Sequence, residues 1–479
     1  MSAPGARTGA ETEDDLDVEE ALALVQSHPE ARPGHRPGSP SAAPSGGSPA
    51  ASSAGNPPPS AGPGQGGAPA SSSGRRHRGT AWPEARAVAV RAVRAGTRAG
   101  HREPVSVPLD AVLGLTLAAP LDALTDLPPF DTSAMDGWAV AGPGPWTVRD
   151  EGVLAGHAEP APLVDGEAVR IATGARVPAD ATAVLRSEHG RGDAQGRLHP
   201  AREVVPGQDI RPRGQECRSG DRLLPAGTVA TPAVLGLAAA AGYDTLAAVP
   251  RPRVDVLVLG DELLGTGLPH DGLIRDALGP MLPPWLRAMG AETGGVERVG
   301  DDAEALHRAI TGSRAELVVT TGGTAAGPVD HVHPTLRRIG AELLVDGVAV
   351  RPGHPMLLAR LPDGRHLVGL PGNPLAAVSG LLTLAEPLLR ALTARPVPEP
   401  YTLPLGDAVQ GHPRETRLVP VVLRGDRALP LRYNGPAMLR GIAAADALAV
   451  VPPGGARSGQ ETELLDLPWA TGGIGVCFT

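Results

Sequence analysis

In the string LPGNP, Asn373 stands where a helix N-cap belongs and Pro374 at the first helical position. With Gly372 just before them, such a helix start offers backbone amides to an anion. The helix dipole contributes about 0.3–1 kcal/mol to that attraction, although an ordinary strand-to-helix turn has the same string. A second glycine turn, TTGGTAAG, carries Gly322 and Gly323, with Asp330 where the next helix begins. GDEL sets Asp261 and Glu262 directly after an apolar run. A carboxylate there can hold Mg²⁺, which usually takes one or two carboxylates plus substrate phosphates, or it can cap a helix or pair with an arginine. In PPFDTSAMDGWAV, Asp131 and Asp136 are close together, and RIATGA puts Thr173 on another glycine turn. GQDIRPRGQE gathers Arg211, Arg213 and Glu216. Guanidinium forks suit phosphate and similar oxyanions, and they equally suit a solvated salt-bridge face. The histidines form no HExxH, and the HVH string at 331–333 reads as surface or core rather than zinc-binding.

What the chain lacks narrows the chemistry. There is no lysine, so all 43 basic residues are arginines, which removes Walker-type phosphate loops, Schiff bases and a lysine general base. Cys217 and Cys477 are too few for a disulfide framework, and a reducing compartment fits. A formal charge of −9 argues against a nucleic-acid-binding surface. The apolar stretch 233–249 is interrupted by Gly, Tyr, Asp and Thr, and the acidic N-terminus is no signal peptide, so the expectation is a cytoplasmic protein with no membrane contact.

The elements that must position these residues follow from composition and periodicity. At about 150 residues per domain, 479 residues suggest roughly three compact units. Residues 1–79 are rich in Pro, Gly, Ser and Ala, end in the basic cluster RRHRG, and are expected to be disordered apart from a short acidic helix at 14–26. Helices are expected at 83–95, 108–118 and 232–241, giving a linker domain from 80–127 and 225–251. Short alternating segments make 128–224 an inserted β module. In 252–397, three apolar runs each end in a glycine turn and lead towards helices at 281–289, 332–339 and 374–394. That pattern predicts a parallel-rich sheet with all three turns on one edge, where open α/β sheets bind ligands. Residues 398–479 read as a small C-terminal β domain. The fold class is thus multidomain α/β plus β.

Together and in this order, PPFDTSAMDGWAV, RIATGARVPADATAVLRSE, GDEL, GLIRDALGPML, TTGGTAAGPVD, VAVRPGHP and GLPGNP resemble the molybdopterin molybdenumtransferase family, which includes the C-terminal domain of gephyrin. The resemblance spans about residues 82–460. It implies insertion of molybdate into adenylylated molybdopterin with Mg²⁺, release of AMP, and an elongated homodimer whose cleft lies between subunits. It also implies an α/β molybdopterin-binding domain, and molybdoenzymes or cofactor-pathway proteins as possible partners. Asp136, Thr173, Arg211, Glu216, Glu262, Asp301, Asp330 and Arg351 fall on polar cleft positions, and Arg417 does so on a looser alignment. The resemblance assigns Arg351, His354 and Arg417 to the oxyanion and Glu216, Glu262, Asp301 and Asp330 to metal. Gly322, Gly323, Gly372 and Asn373 fall to the pterin phosphate.

Several positions depart from the family pattern. A basic PGKP motif is RPGHP here, so Arg351 and His354 replace lysines. Arginine keeps the charge in another shape, and histidine is mostly neutral near pH 7. Ala325 and Pro328 stand where a serine and an acid are usual, Asp276-Ala277-Leu278 replaces Asp-Ser-Asn, and Pro436 replaces a Gly-Ser hydroxyl. These losses give an alternative reading, a catalytically weakened homologue that binds pterin or partner proteins as a scaffold or delivery module.

Overall fold

The computed structural model describes residues 79–95, 103–156, 160–324 and 330–468. The expected helix at 14–26, the RRHR run, Ala325, Pro328 and Cys477 lie outside them.

The central element is a six-stranded sheet in the order Glu292–Val299, Arg253–Leu259, Leu317–Thr321, His366–Leu370, Leu357–Arg360, Glu342–Asp346. The first four strands run parallel, Leu357–Arg360 runs antiparallel to them, and Glu342–Asp346 pairs antiparallel with Leu357–Arg360. The chain leaves strand Arg253–Leu259 to one side for Glu292–Val299 and returns to the other for Leu317–Thr321. That reversal is a topological switch point, and the strand ends that carry GDEL and TTGG lie at it, where open α/β sheets bind ligands. The parallel expectation holds for the three apolar runs. Strand Glu292–Val299 was not foreseen, because as an edge strand its side chains are mostly exposed and its sequence is polar.

The longest apolar helix runs from Pro374 to Leu392 and is apolar enough to cross a membrane, yet 83% of it is buried inside the fold. It is therefore a core helix. Its middle, Leu381–Ala385, widens to a π turn. Helix Trp82–Ala95 secures that turn: Trp82 Nε1 donates to Thr383 Oγ1 at 3.0 Å, Arg86 donates to the Leu382 carbonyl, and Arg86 pairs with Glu386 at 3.2 Å. A core of Val, Leu and Ala from both helices and the sheet closes around them.

The expected helix at 108–118 is absent. Residues Val105–Pro108 instead pair antiparallel with Thr245–Val249, which also pairs with Thr116–Leu117. The apolar spacing of this stretch served a half-buried strand and a turn, and the pairing partner lies far along the chain. Helix Pro232–Ala240 forms as expected, with Thr231 accepting from Val234 N at its start. Arginines tie this part to the α/β unit. Arg251 donates to Leu113 O at 3.0 Å and Arg395 to Gly114 O at 2.8 Å. Burial, with Arg390 and Arg251 nearby, pushes Arg395 down to about 10.

The inserted module holds a six-stranded sheet in the order Gly190–Gly192, Arg197–Pro200, Trp146–Val153, Glu167–Ile171, Gly137–Val140, Ala183–Arg186, with an apolar cluster on each face. In the C-terminal sheet, Val348–Arg351 crosses over from the α/β unit to lie between Thr80–Ala81 and Thr416–Arg424.

His366 begins a central strand and is fully buried, with neither ring nitrogen in a well-formed hydrogen bond. Burial lowers its pKa below the usual 6.5, a backbone group of Ala92 offsets this in part, and Arg360, its register partner, adds to the lowering. The unfolded chain therefore takes up this proton first, so the stability is fully present above about pH 6.5 and is lost as pH falls. Replacing His366 with Leu should make the fall in unfolding temperature between pH 7.5 and pH 5 shallower than in the wild type. Parallel profiles for the two proteins would show that His366 does not contribute.

Candidate functional site

Three turns meet at the carboxyl edge of the parallel strands. The Gly322 amide donates to Leu370 O at 2.8 Å, and a Cβ on Gly372 would come 3.7 Å from Gly322 Cα. A Cβ on Gly323 would come 3.3 Å from Leu259 Cδ1, so the ends of three neighbouring strands form one floor. Glu262 leaves this floor from GDEL, exposed, with its carboxylate lying over Gly260. Asp301 and Asp330 stand on the turns before helices Ala303–Gly312 and Val332–Ile339, Asp301 exposed and Asp330 half-buried. Helix capping falls to the neighbouring Asp302, which accepts from Glu304 N and Ala305 N and is held below the usual carboxylate range by those bonds.

The helix start at LPGNP is not open as the sequence suggested. The Pro436 carbonyl accepts from Leu375 N at 2.9 Å and Ala376 N at 3.2 Å, using the amides that would otherwise face an anion. Asn373 makes no side-chain cap, and its carbonyl accepts from Ala377 N. What remains for a ligand is the exposed surface of Gly372 and Asn373 themselves.

Pro436 links this helix to a second patch. Strands Val348–Arg351 and Thr416–Arg424 run parallel with Arg351 directly opposite Arg417. Two arginines distant in sequence thereby occupy paired positions on neighbouring strands. Arg417 donates to Gln410 O at 2.6 Å and to Asn434 Oδ1 at 2.9 Å, and Asn434 donates to Leu431 O at 2.7 Å. The Asn434–Pro436 turn therefore joins Arg417 to the start of the core helix. Arg351 Nε donates to Glu415 at 2.5 Å, and His354 Nδ1 lies 3.3 Å from the same carboxylate. The entering chain also contacts this patch, since Gly79 packs against His354 and Thr80 N donates to Gly347 O at 2.9 Å.

The third group lies on the inserted module. Asp136 accepts from the Thr173 amide at 2.7 Å and its hydroxyl at 3.0 Å, and those bonds, the amide first, hold its carboxyl below the usual range. Arg211 sits opposite Thr132 on a two-stranded ribbon, exposed. Glu216 is exposed five residues further along, its amide donating to Leu127 O at 2.9 Å. The neighbouring Arg213 is committed elsewhere, to Asp126 and, through its amide, to Asp131.

The candidate residues thus form three groups: Asp136, Thr173, Arg211 and Glu216; Glu262, Asp301, Asp330 and the glycine turns; and Arg351, His354 and Arg417. The second and third are joined through Pro436. Among the described residues, no three His, Cys, Asp or Glu side chains gather as a metal cage. Exposed carboxylates at the sheet edge have the hard oxygen chemistry of a Mg²⁺ site completed by phosphate, which needs only one or two of them.

Sequence reasoning missed Glu415, Asn434 and the carbonyl of Pro436. An acid between two arginines in RETR was the one available signal for Glu415. Asp276 serves the fold: buried, it accepts from Gly279 N at 2.8 Å and from Arg298 at 2.6 Å, starting helix Leu278–Ala288, while Leu278 fills the core.

Three family models match: the MoeA N-terminal region (domains I and II) at 81–242, a probable molybdopterin binding domain at 255–391, and the MoeA C-terminal region (domain IV) at 402–467. Molybdopterin molybdenumtransferase 2 of Mycobacterium tuberculosis is 33% identical over 372 residues, covering 73% of this chain and 91% of that protein. The molybdopterin molybdenumtransferase of Staphylococcus aureus is 28% identical, covering 76% and 90%. The crystal structure of a molybdopterin biosynthesis MoeA protein from Pyrococcus horikoshii superposes with a TM-score of 0.66 at 26% identity, over 81% of this chain and 99% of that one. With the switch-point edge, the paired arginines and these relatives in view, the chain belongs to the molybdopterin molybdenumtransferase family.

Proposed function

We propose that the protein inserts molybdate into adenylylated molybdopterin and releases AMP, giving molybdenum cofactor. The observation that carries this reading is the side-by-side placement of Arg351 and Arg417, joined through Asn434 and Pro436 to the edge that holds Glu262 and the glycine turns. Molybdate is a tetrahedral dianion, and two arginines at paired positions on neighbouring strands give it charge and directed donors. His354, which shares the Glu415 side of this patch, adds a ring N–H donor.

At the sheet edge, Gly322, Gly323 and Gly372 let the pterin phosphate end approach the backbone closely. Glu262, Asp301 and Asp330 would hold Mg²⁺ there, with Glu216 as a further carboxylate on the inserted module. The cation would neutralise phosphate charge as the phosphoanhydride opens. Asp136, its carboxyl held below the usual range by the Thr173 amide and hydroxyl, would orient a substrate donor, and Arg211 would face phosphate. Rate enhancement then comes from positioning and charge neutralisation. The reading has the protein work as a cytoplasmic homodimer that hands its product to molybdenum enzymes or other cofactor-pathway proteins.

The amides taken by Pro436 favour the second reading, a binding or delivery homologue that does not turn over. Purified protein with adenylylated molybdopterin, molybdate and Mg²⁺ should release AMP only when molybdate is present. Pterin binding without AMP release would transfer the conclusion to the second reading.

A further inference from the structure

The Glu415 carboxylate is largely buried, 14% exposed, while the arginine and two histidines around it are 34–53% exposed. Arg351 Nε donates to it at 2.5 Å, and His354 Nδ1 lies 3.3 Å away without a hydrogen bond to it. His412 Nδ1 lies 3.5 Å away but accepts from the amides of Arg414 and Glu415, at 3.3 and 3.1 Å. Its lone pair is spent on those amides, so it offers Glu415 no proton from that nitrogen. The firm partner of the carboxylate is therefore Arg351. Arg417, the other arginine of the patch, is held by Gln410 and Asn434 instead.

We propose that Glu415 is an internal counter-anion: its carboxylate occupies the Nε donor of Arg351 when no oxyanion is bound and competes with an incoming tetrahedral dianion for that guanidinium. The inference rests on the oxyanion reading of the Arg351 and Arg417 patch. The largely buried carboxylate is the member of the pair that needs a partner, whereas the half-exposed Arg351 guanidinium can be reached from solvent by a dianion that competes for it. The same charge then repels the dianion at close range, so empty-site stability and oxyanion affinity oppose each other at this residue.

Glu415→Gln keeps the size and one acceptor while removing the charge, and Glu415→Ala removes the charge with no side chain to misfit. Titrating the full chain with tungstate as the probe dianion, by calorimetry at fixed salt and pH, both variants should bind about tenfold tighter than wild type. Their unfolding temperature without ligand should be lower. A role confined to holding Arg351 in place predicts the opposite sign, weaker binding. If wild type binds tungstate and folded variants bind it equally or more weakly, the counter-anion is overturned while the oxyanion site stands. If neither wild type nor variants bind tungstate, the oxyanion reading falls and the inference with it.

Discussion

Replacing Arg351 with alanine is expected to lower molybdate-dependent AMP release by about 10²–10³-fold, the usual cost of deleting a donor aimed at reacting charge. The physical reason is register. Arg351 ends a strand whose partner presents Arg417 directly opposite, so the pair acts as one cationic surface, and removing half of it leaves a dianion against a single guanidinium. Loss of stability should be small by comparison, because Arg351 is about half exposed and its ion pair with Glu415 is partly in water. Arg351→Lys separates charge from shape: it should recover part of the rate with a raised molybdate KM, since a point charge replaces a planar fork. Steady-state AMP release against molybdate concentration measures both. An unchanged molybdate dependence in Arg351→Ala would place the oxyanion elsewhere.

Gly260→Ala is the second large effect. Gly260 has φ +129°, a backbone conformation that side-chain-bearing residues rarely adopt, and its missing Cβ would lie 2.3 Å from Glu262 Oε2 and 2.8 Å from its carboxyl carbon. An alanine must therefore either strain the turn or drive the Glu262 carboxylate away. Strain of this kind costs on the order of 1–3 kcal/mol of stability, whereas a displaced carboxylate at the sheet edge should cost about 10²-fold in rate, as a misplacement near 1 Å does. Gly364→Ala is the control, with φ +89° and open space around it. It should lose comparable stability and keep its activity. If Gly260→Ala loses only stability, Glu262 does not take part in the reaction at this edge.

How much was legible in the sequence depended on how far apart the cooperating residues lie. Helix Val332–Ile339 and the start of the core helix at Pro374 could be read locally, because proline in the first turn, a glycine just past the helix end and a 3.6-residue apolar period are encoded within a few residues. The three apolar runs ending in glycine turns were equally legible, and their gathering on one edge followed from parallel strands alone. The stretch at 108–118 misled because its apolar spacing fits a helix in isolation, whereas residues 109–115 turn between two short strands that pair with the distant Thr245–Val249. Polar edge strand Glu292–Val299 carried too little alternation to be seen.

At the site, sequence by itself determined which chemistries were absent and which residue types were present: no lysine, many arginines, carboxylates after strands. The tertiary structure alone decided that Arg351 faces Arg417, that Glu415 lies between Arg351 and His354, and that the Pro436 carbonyl takes the amides of the core helix. Each of these depends on strand register or on a turn arriving from a distant part of the chain. Residue type sets what a group can do, but the shared packing of remote segments sets whom it meets, and no local pattern records that meeting.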